Sequence, residues 1–314
     1  MEVKKIEETY GQISKALGWT TDKQVSLAVA MIYLSRGREF DEDAHHQVSQ
    51  LIKNQEGFLS PLRAHLHHIV AAYLALGEKP AQEALELLNA NQRALNEHKF
   101  WKSSYTYLGG LMMTKPEEAG RARELYKAMQ THHPFLTSSE DIPYVALLSN
   151  QEGDVRERAE TMNRYYKELR PQGFSAGNQL QWLSQVLTFD SPVFQPELAG
   201  RVVAIRDFLK AEKIKVRAEH YPVLGFLAVA KADGEALHKV VDMARELEAS
   251  KLFRWYSQWV LPSAIQLTLA ESVQLNDKGV AVFAASVEML LQAQQAAMML
   301  GMSAIIASSN NSGS

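Results

Sequence analysis

Cysteine is absent from all 314 residues. That absence excludes disulfides, thiolate nucleophiles and cysteine-ligated zinc or iron–sulfur centres. Charge imbalance is lacking too: 33 Lys and Arg against 36 Asp and Glu leave a formal net charge of -3, which gives a polyanion no overall attraction. Nucleic acid is therefore not an expected partner. The N-terminal MEVKKIEETYGQ has no apolar core of the signal-peptide kind, and the apolar tail at residues 299 to 307 is shorter than the roughly 20 residues a membrane span needs. The expectation is a cytoplasmic chain without a membrane span. Apolar residues make up 46% and charged residues 22%, so the chain has the composition of a folded globular protein.

What is present is helical periodicity. Segments such as VSLAVAMIYL, HHIVAAYLAL, AQEALELLNANQRAL, AGRARELYKAM and ALHKVVDMARELEAS carry it, and the alternation of a strand is missing. Pro and Gly fall mostly between these segments, in GEKP, TKPEE, LRPQG and SPVFQPE. Val29, Ile69, Tyr107, Tyr144, Trp182, Val223 and Val260 each open a similar block, separated by 40, 38, 37, 38, 41 and 37 residues. The blocks (VAMIYL, IVAAYL, YLGGLM, YVALLS, WLSQVL, VLGFLA, VLPSAI) share small residues at their centres, which let a neighbouring helix approach closely. A second column of bulky apolar residues, Phe58, Phe100, Phe135, Phe174 and Phe253 with Ile214 as a weaker member, follows the longer second helices and reads as a plug between hairpins.

Two columns at one period predict an all-α fold, an α-solenoid of about seven helix-turn-helix units that is TPR/HEAT-like without either consensus. Right-handed stacking is expected. The units begin near residues 22, 60, 102, 139, 176, 218 and 255 of a single domain spanning 1–307, and 308–314 form a disordered tail. A compact helical bundle is the rival architecture. Ser60 before Pro61, and Asp41 with Glu42 and Asp43, mark helix starts. Pro143 and Pro222 suit an early turn, whereas Pro262 should kink its helix.

At SPLRAHLHHIVAAYLA, YTYLGGLMM and the small-residue end AAMMLGMSAIIASSNNSGS, the sequence resembles a bacterial all-helical family known as domain of unknown function 4003. The likeness covers nearly the whole chain. It implies an intracellular bacterial protein and brings no activity, substrate or cofactor with it.

His65 and His68 lie three apart on one helix face, each in a mainly polar column, and His68 aligns with Thr106 and Gln181. His67 belongs to a partly apolar column with Tyr105. The H-E-x-x-H spacing of a metalloprotease is absent, so neither a metal nor another cofactor is expected. The cluster DEDAHH reads as an acid-rich first turn followed by exposed His45 and His46. His98, His132 and His133 read as positive groups at helix C-termini, and residues 201 to 217 as a solvated basic face. No nucleophile elbow occurs among the serines, and Gly109 and Gly110 lack the lysine of a phosphate loop.

The reading of function is a scaffold that binds a peptide or protein partner in a groove lined by the first helices, with no catalytic residue. Candidate binding residues are Arg63, His65, His68, Tyr105, Thr106 and Gln181. The alternative is an enzyme with a pocket around Arg63, His65, His68 and Tyr105. Residues 299 to 307, with Met299, Leu300, Met302, Ile305 and Ile306, exceed the needs of the last hairpin and are expected to fold back as a local cap, to self-associate with a second copy or to meet a partner.

Overall fold

The computed structural model describes residues 3–64, 66–189 and 191–273. Within these, fourteen α-helices and several short 3-10 turns account for the regular structure, and no strand occurs. The C-terminal apolar segment and the polar tail lie outside the described residues.

The odd-numbered helices are α1 (Val3–Leu17), α3 (Glu42–Gln55), α5 (Ala81–Glu97), α7 (Glu118–His132), α9 (Val155–Leu169), α11 (Pro196–Ala211) and α13 (Gly234–Ala249). The even-numbered ones are α2 (Lys23–Ser35), α4 (His67–Ala75), α6 (Ser104–Met112), α8 (Ile142–Leu148), α10 (Asn178–Val186), α12 (Tyr221–Val229) and α14 (Val260–Val273). Their starts have chemical causes. The carboxylates of Asp22, Asp41, Asp154 and Asp233 each accept a backbone N–H from the first turn that follows. Pro143 and Pro222 sit at second helical positions. Pro262 differs from the sequence expectation: α14 begins at Val260, so the ring falls in the first turn, where no N–H is needed. Ser60 does cap a turn through Leu62 N–H, but the turn is a 3-10 one at Pro61–Arg63, and α4 begins only at His67.

Two kinds of helix alternate. The odd helices bury one face, as the Ile6, Thr9 and Ile13 spacing of α1 illustrates. The even helices are buried nearly all round: every residue from Val25 to Ser35 in α2 and from Ile142 to Leu148 in α8 is inaccessible. A helix apolar on all sides belongs inside. Each odd helix packs on the even helix that follows it, and even helices pack on one another, α6 on α8, α8 on α10, α10 on α12 and α12 on α14. The chain then closes, because α14 also packs on α2 and α2 on α4, while the Pro61–Arg63 turn links α4 to α6.

Small residues make the closest of these contacts. A Cβ added to Gly225 of α12 would lie 2.8 Å from Leu183 Cδ1 and 2.9 Å from Val186 Cγ1 of α10. Gly109 of α6 faces Ile142 of α8 in the same way, at 2.9 Å from Cγ2. Tyr107, Tyr144 and Trp182 are all buried, and the rings of Tyr144 and Trp182 stack 5.8 Å apart at 13°.

The plug column holds in part. Phe100, Phe174, Phe253 and Ile214 are buried, but Phe58 and Phe135 are exposed. Leu62 and Leu136, further along the same connections, pack against the core instead. The basic face is also less solvated than its composition suggests: Arg206 is buried, bonded to Asp207 and the Gln172 carbonyl, with its guanidinium 4.6 Å from the Phe174 ring centre.

Candidate functional site

Consecutive helices double back, so all even helices run the same way and their N-termini gather at one end. A circuit of polar contacts runs round this end. Tyr107 OH donates to Glu56 Oε2 at 2.8 Å, Tyr105 OH to Glu140 Oε1 at 3.4 Å, and Asn178 Nδ2 to Glu140 Oε2 at 3.3 Å. Ser175 N–H then donates to Tyr221 OH at 3.0 Å, and His220 Nε2–H to the Gln258 carbonyl at 3.3 Å. Tyr256 completes the circuit by facing Asp22, Lys23 and Arg63 across a cavity of about 750 Å³.

That cavity lies between the start of α2 and the start of α4. Its walls are Trp19, Thr20, Thr21, Asp22 and Lys23 from the start of α2, Lys53 from α3, Arg63, Ala64, His67 and His68 at the start of α4, and Tyr256. Behind it lies a buried histidine cluster. His45 Nε2 and His68 Nδ1 share a hydrogen bond of 3.3 Å with their rings stacked 5.5 Å apart, and His67 Nε2 meets Ser49 Oγ at 2.7 Å. Facing ring nitrogens at that distance require one donor and one acceptor, so two neutral rings here carry the same tautomer, both Nε2–H or both Nδ1–H.

Burial enforces the neutral state. It pushes His45 down to about 3, with help from His68, His67 and His46, and His67 down to about 4, with help from His68, Lys53 and Arg63. His68 is lowered to about 4 by burial and Lys53. Among the described residues no group of three His, Asp or Glu has the geometry to hold a metal ion.

Of the sequence candidates, Arg63 and His68 come together in this cavity. His65 lies outside the described residues. Tyr105, Thr106 and Gln181 sit elsewhere on the same end and are engaged within the fold. Tyr105 is held by Glu140. Thr106 closes a capping box: its Oγ1 accepts from Ser103 N–H at 3.0 Å and donates to the Ser103 carbonyl at 2.8 Å. Gln181 Nε2 donates to the buried Asp141 at 3.0 Å, beside Gln185 Nε2 at 2.5 Å and Ser138 N–H at 2.8 Å. Burial raises the Asp141 carboxyl to about 6 against these donors. The polar column to which His68, Thr106 and Gln181 belong is largely a column of helix starts.

The histidine expectations need two corrections. His45 is buried in the cluster, and only its neighbour His46 is exposed. His133 follows α7 as expected, but burial, His132 and Lys167 lower its pKa, so it is a neutral ring packed 4.6 Å from Tyr166 rather than a positive cap. His45 and Lys53 escaped the periodic alignment, and His67 was aligned only as a member of a partly apolar column, because these residues meet across two helices. The i, i+4 pair His45 and Ser49, on the face of buried Val48 and Ile52, was the available signal.

The same end carries most of the exposed apolar bulk. Trp19, Phe58, Leu59, Trp101, Phe135 and Trp255 are 81–98% exposed, and each lies in a connection leading into an even helix. At the opposite end Val193 alone among the described large apolar residues is exposed.

Comparison with known proteins gives a family without an activity. A relative from Bacillus subtilis (strain 168), named Uncharacterized protein YeaA, is 25% identical over 300 residues, which cover 92% of this chain and 90% of that protein. No solved structure matches. Residues 9–296 match the family model described as Protein of unknown function (DUF4003), and the chain, all-helical across its described residues, belongs to that family.

Proposed function

We propose that the protein is a scaffold of about seven helix-turn-helix repeats, solenoid-like in its construction, that binds a protein or peptide partner with the end of the molecule where the even helices begin. The observation that carries this reading is the set of six large apolar side chains exposed there, Trp19, Phe58, Leu59, Trp101, Phe135 and Trp255, against Val193 at the other end. Exposed aromatic residues concentrated on one surface are the usual anchors of protein recognition. A groove along the first helices fits less well, since α2 and α8 are buried on every side. Recognition thus moves from the side of the repeats to their end.

The enzyme reading keeps one supporting observation, the cavity containing Arg63 and His68. Tyr105 is not among its walls, and the histidines there are paired with one another and with Ser49 rather than with a carboxylate. A catalytic base would need such a poised acid–base partner.

The test is a triple variant, Trp19→Ser, Trp101→Ser and Trp255→Ser, compared with the parent chain in quantitative capture from bacterial lysate. Because all three side chains are exposed, melting temperature should be unchanged. Specific partners retained by the parent and lost by the variant are the expected result. Equal capture by both, or none by either, overturns the proposal.

A further inference from the structure

We propose that the cavity between the start of α2 and the start of α4 binds a phosphorylated small molecule, with Lys23, Lys53 and Arg63 holding the phosphate. This does not depend on the partner reading, which rests on the exposed apolar rim.

The charge of the walls points to the ligand. Three cations, Lys23, Lys53 and Arg63, face the cavity with a single carboxylate, that of Asp22. Asp22 is already committed to the N–H of Gln24 at 2.7 Å. Arg63 spends one donor on the Glu56 carbonyl at 3.3 Å and lays its guanidinium 5.7 Å from the Phe58 ring centre. Its guanidinium has five N–H donors, so it can still address an anion. His67 and His68 are neutral and add no charge. The walls therefore carry an excess of two positive charges, which a phosphate monoester dianion matches and a monocarboxylate does not.

Backbone and shape agree with the charges. Leu66, at the N-cap of the nine-residue α4, makes no side-chain cap, and of the first-turn N–H groups that of His67 is taken by the Ala64 carbonyl at 3.2 Å. Volume separates a metabolite from a bare ion: about 750 Å³ falls in the ordinary range of small-molecule sites, well above what one phosphate fills. Trp19 and Tyr256 give the non-phosphate part of the ligand aromatic surface at the cavity wall.

The histidine cluster is the rear support of the site. His67 and His68 reach the cavity, while Ser49 and His45 bind them from α3. Lys53 and Arg63 depress His67, and Lys53 depresses His68, which places these cations within electrostatic reach of the same rings. The groups facing the pair are thus Lys53, Arg63, His45 and, across the cavity, Lys23, Asp22 and Tyr256.

The experiment is titration of the full chain, by calorimetry and tryptophan fluorescence at constant ionic strength, with inorganic phosphate, pyrophosphate and a set of sugar phosphates and nucleotides. Each organic probe is paired with its dephosphorylated form. Saturable binding of one or more phosphorylated probes is expected, with the dephosphorylated forms silent. Lys53→Ala and Lys23→Ala alter exposed residues and should keep the parent melting temperature. Each should weaken binding at least tenfold, and Arg63→Gln should do the same. Sedimentation with phosphatidylcholine vesicles, with and without phosphatidylglycerol, separates soluble phosphates from lipid headgroups. Absence of saturable binding, binding indifferent to all three substitutions, or binding confined to phosphatidylglycerol vesicles overturns the proposal.

Discussion

Gln266 of α14 donates its side-chain amide to the main-chain oxygen of Met31 in α2 across 3.4 Å, although 235 positions separate the two residues. Ser250 Oγ donating to Glu7 Oε1 at 2.7 Å joins the same ends of the chain. The last described helix is thereby a neighbour of the first buried one, and the stability of each depends on the other.

Trp259, buried at the head of α14, tests this dependence. Trp259→Ala should cost about 3–5 kcal/mol as a large-to-small core change. Hydrogen exchange should show protection falling in Val25–Ser35 of α2 together with that in α14. Loosening of α14 with α2 unchanged would contradict the closure.

Two glycines should respond in opposite directions. Gly225→Ala places a methyl group 2.8 Å from Leu183 Cδ1 and should destabilise by roughly 1–3 kcal/mol through overpacking. Gly200→Ala, in α11 with nothing within 4 Å of the new Cβ, should stabilise by about 0.5–1 kcal/mol through helix propensity. Urea midpoints measure both.

The Tyr144–Trp182 stack separates packing from hydrogen bonding. Tyr144 OH is buried without a partner, so Tyr144→Phe should be neutral or slightly stabilising. Trp182→Ala should cost about 3–5 kcal/mol. A Tyr144→Phe loss as large as that of Trp182→Ala would mean that the hydroxyl is bonded after all.

Acid should weaken the fold in a defined window. His45, His67 and His68 ionise near 6.5 when unfolded and near 3 to 4 in the fold, so below pH 6.5 the unfolded chain binds more protons. Their stabilising contribution is full above that value and is lost as pH falls towards 4. Asp141 works the other way, since its carboxyl rises from 3.8 to about 6 and takes up a proton in the fold first. Three groups against one leave a net loss, and Tm should drop by about 5 °C or more from pH 7 to pH 5. His45→Gln should shallow the slope. A higher Tm at pH 5 than at pH 7 would refute the assignment.

Local patterning made the helices legible. Runs such as Val25–Leu34 read as helices from their apolar spacing, while Asp41 and Ser60 marked starts through chemistry that acts within a few residues. The small residues Gly109 and Gly225 were legible as points of close approach for the same reason. Phe58 and Phe135 were misread because their connections hold other apolar residues, Leu62 and Leu136, and tertiary packing decides which of them turns inward.

By itself, then, the sequence determined an all-helical chain, since spacings of three, four and seven residues suffice to set which face of a helix avoids water. The contact of α14 with α2, the meeting of His45 with His68, and the gathering of Lys23, Lys53 and Arg63 round one cavity were decided by the tertiary structure. Each arises from the small rotation between one helix pair and the next, summed around the chain. That sum depends on packing at every interface and is written at no fixed spacing along the sequence.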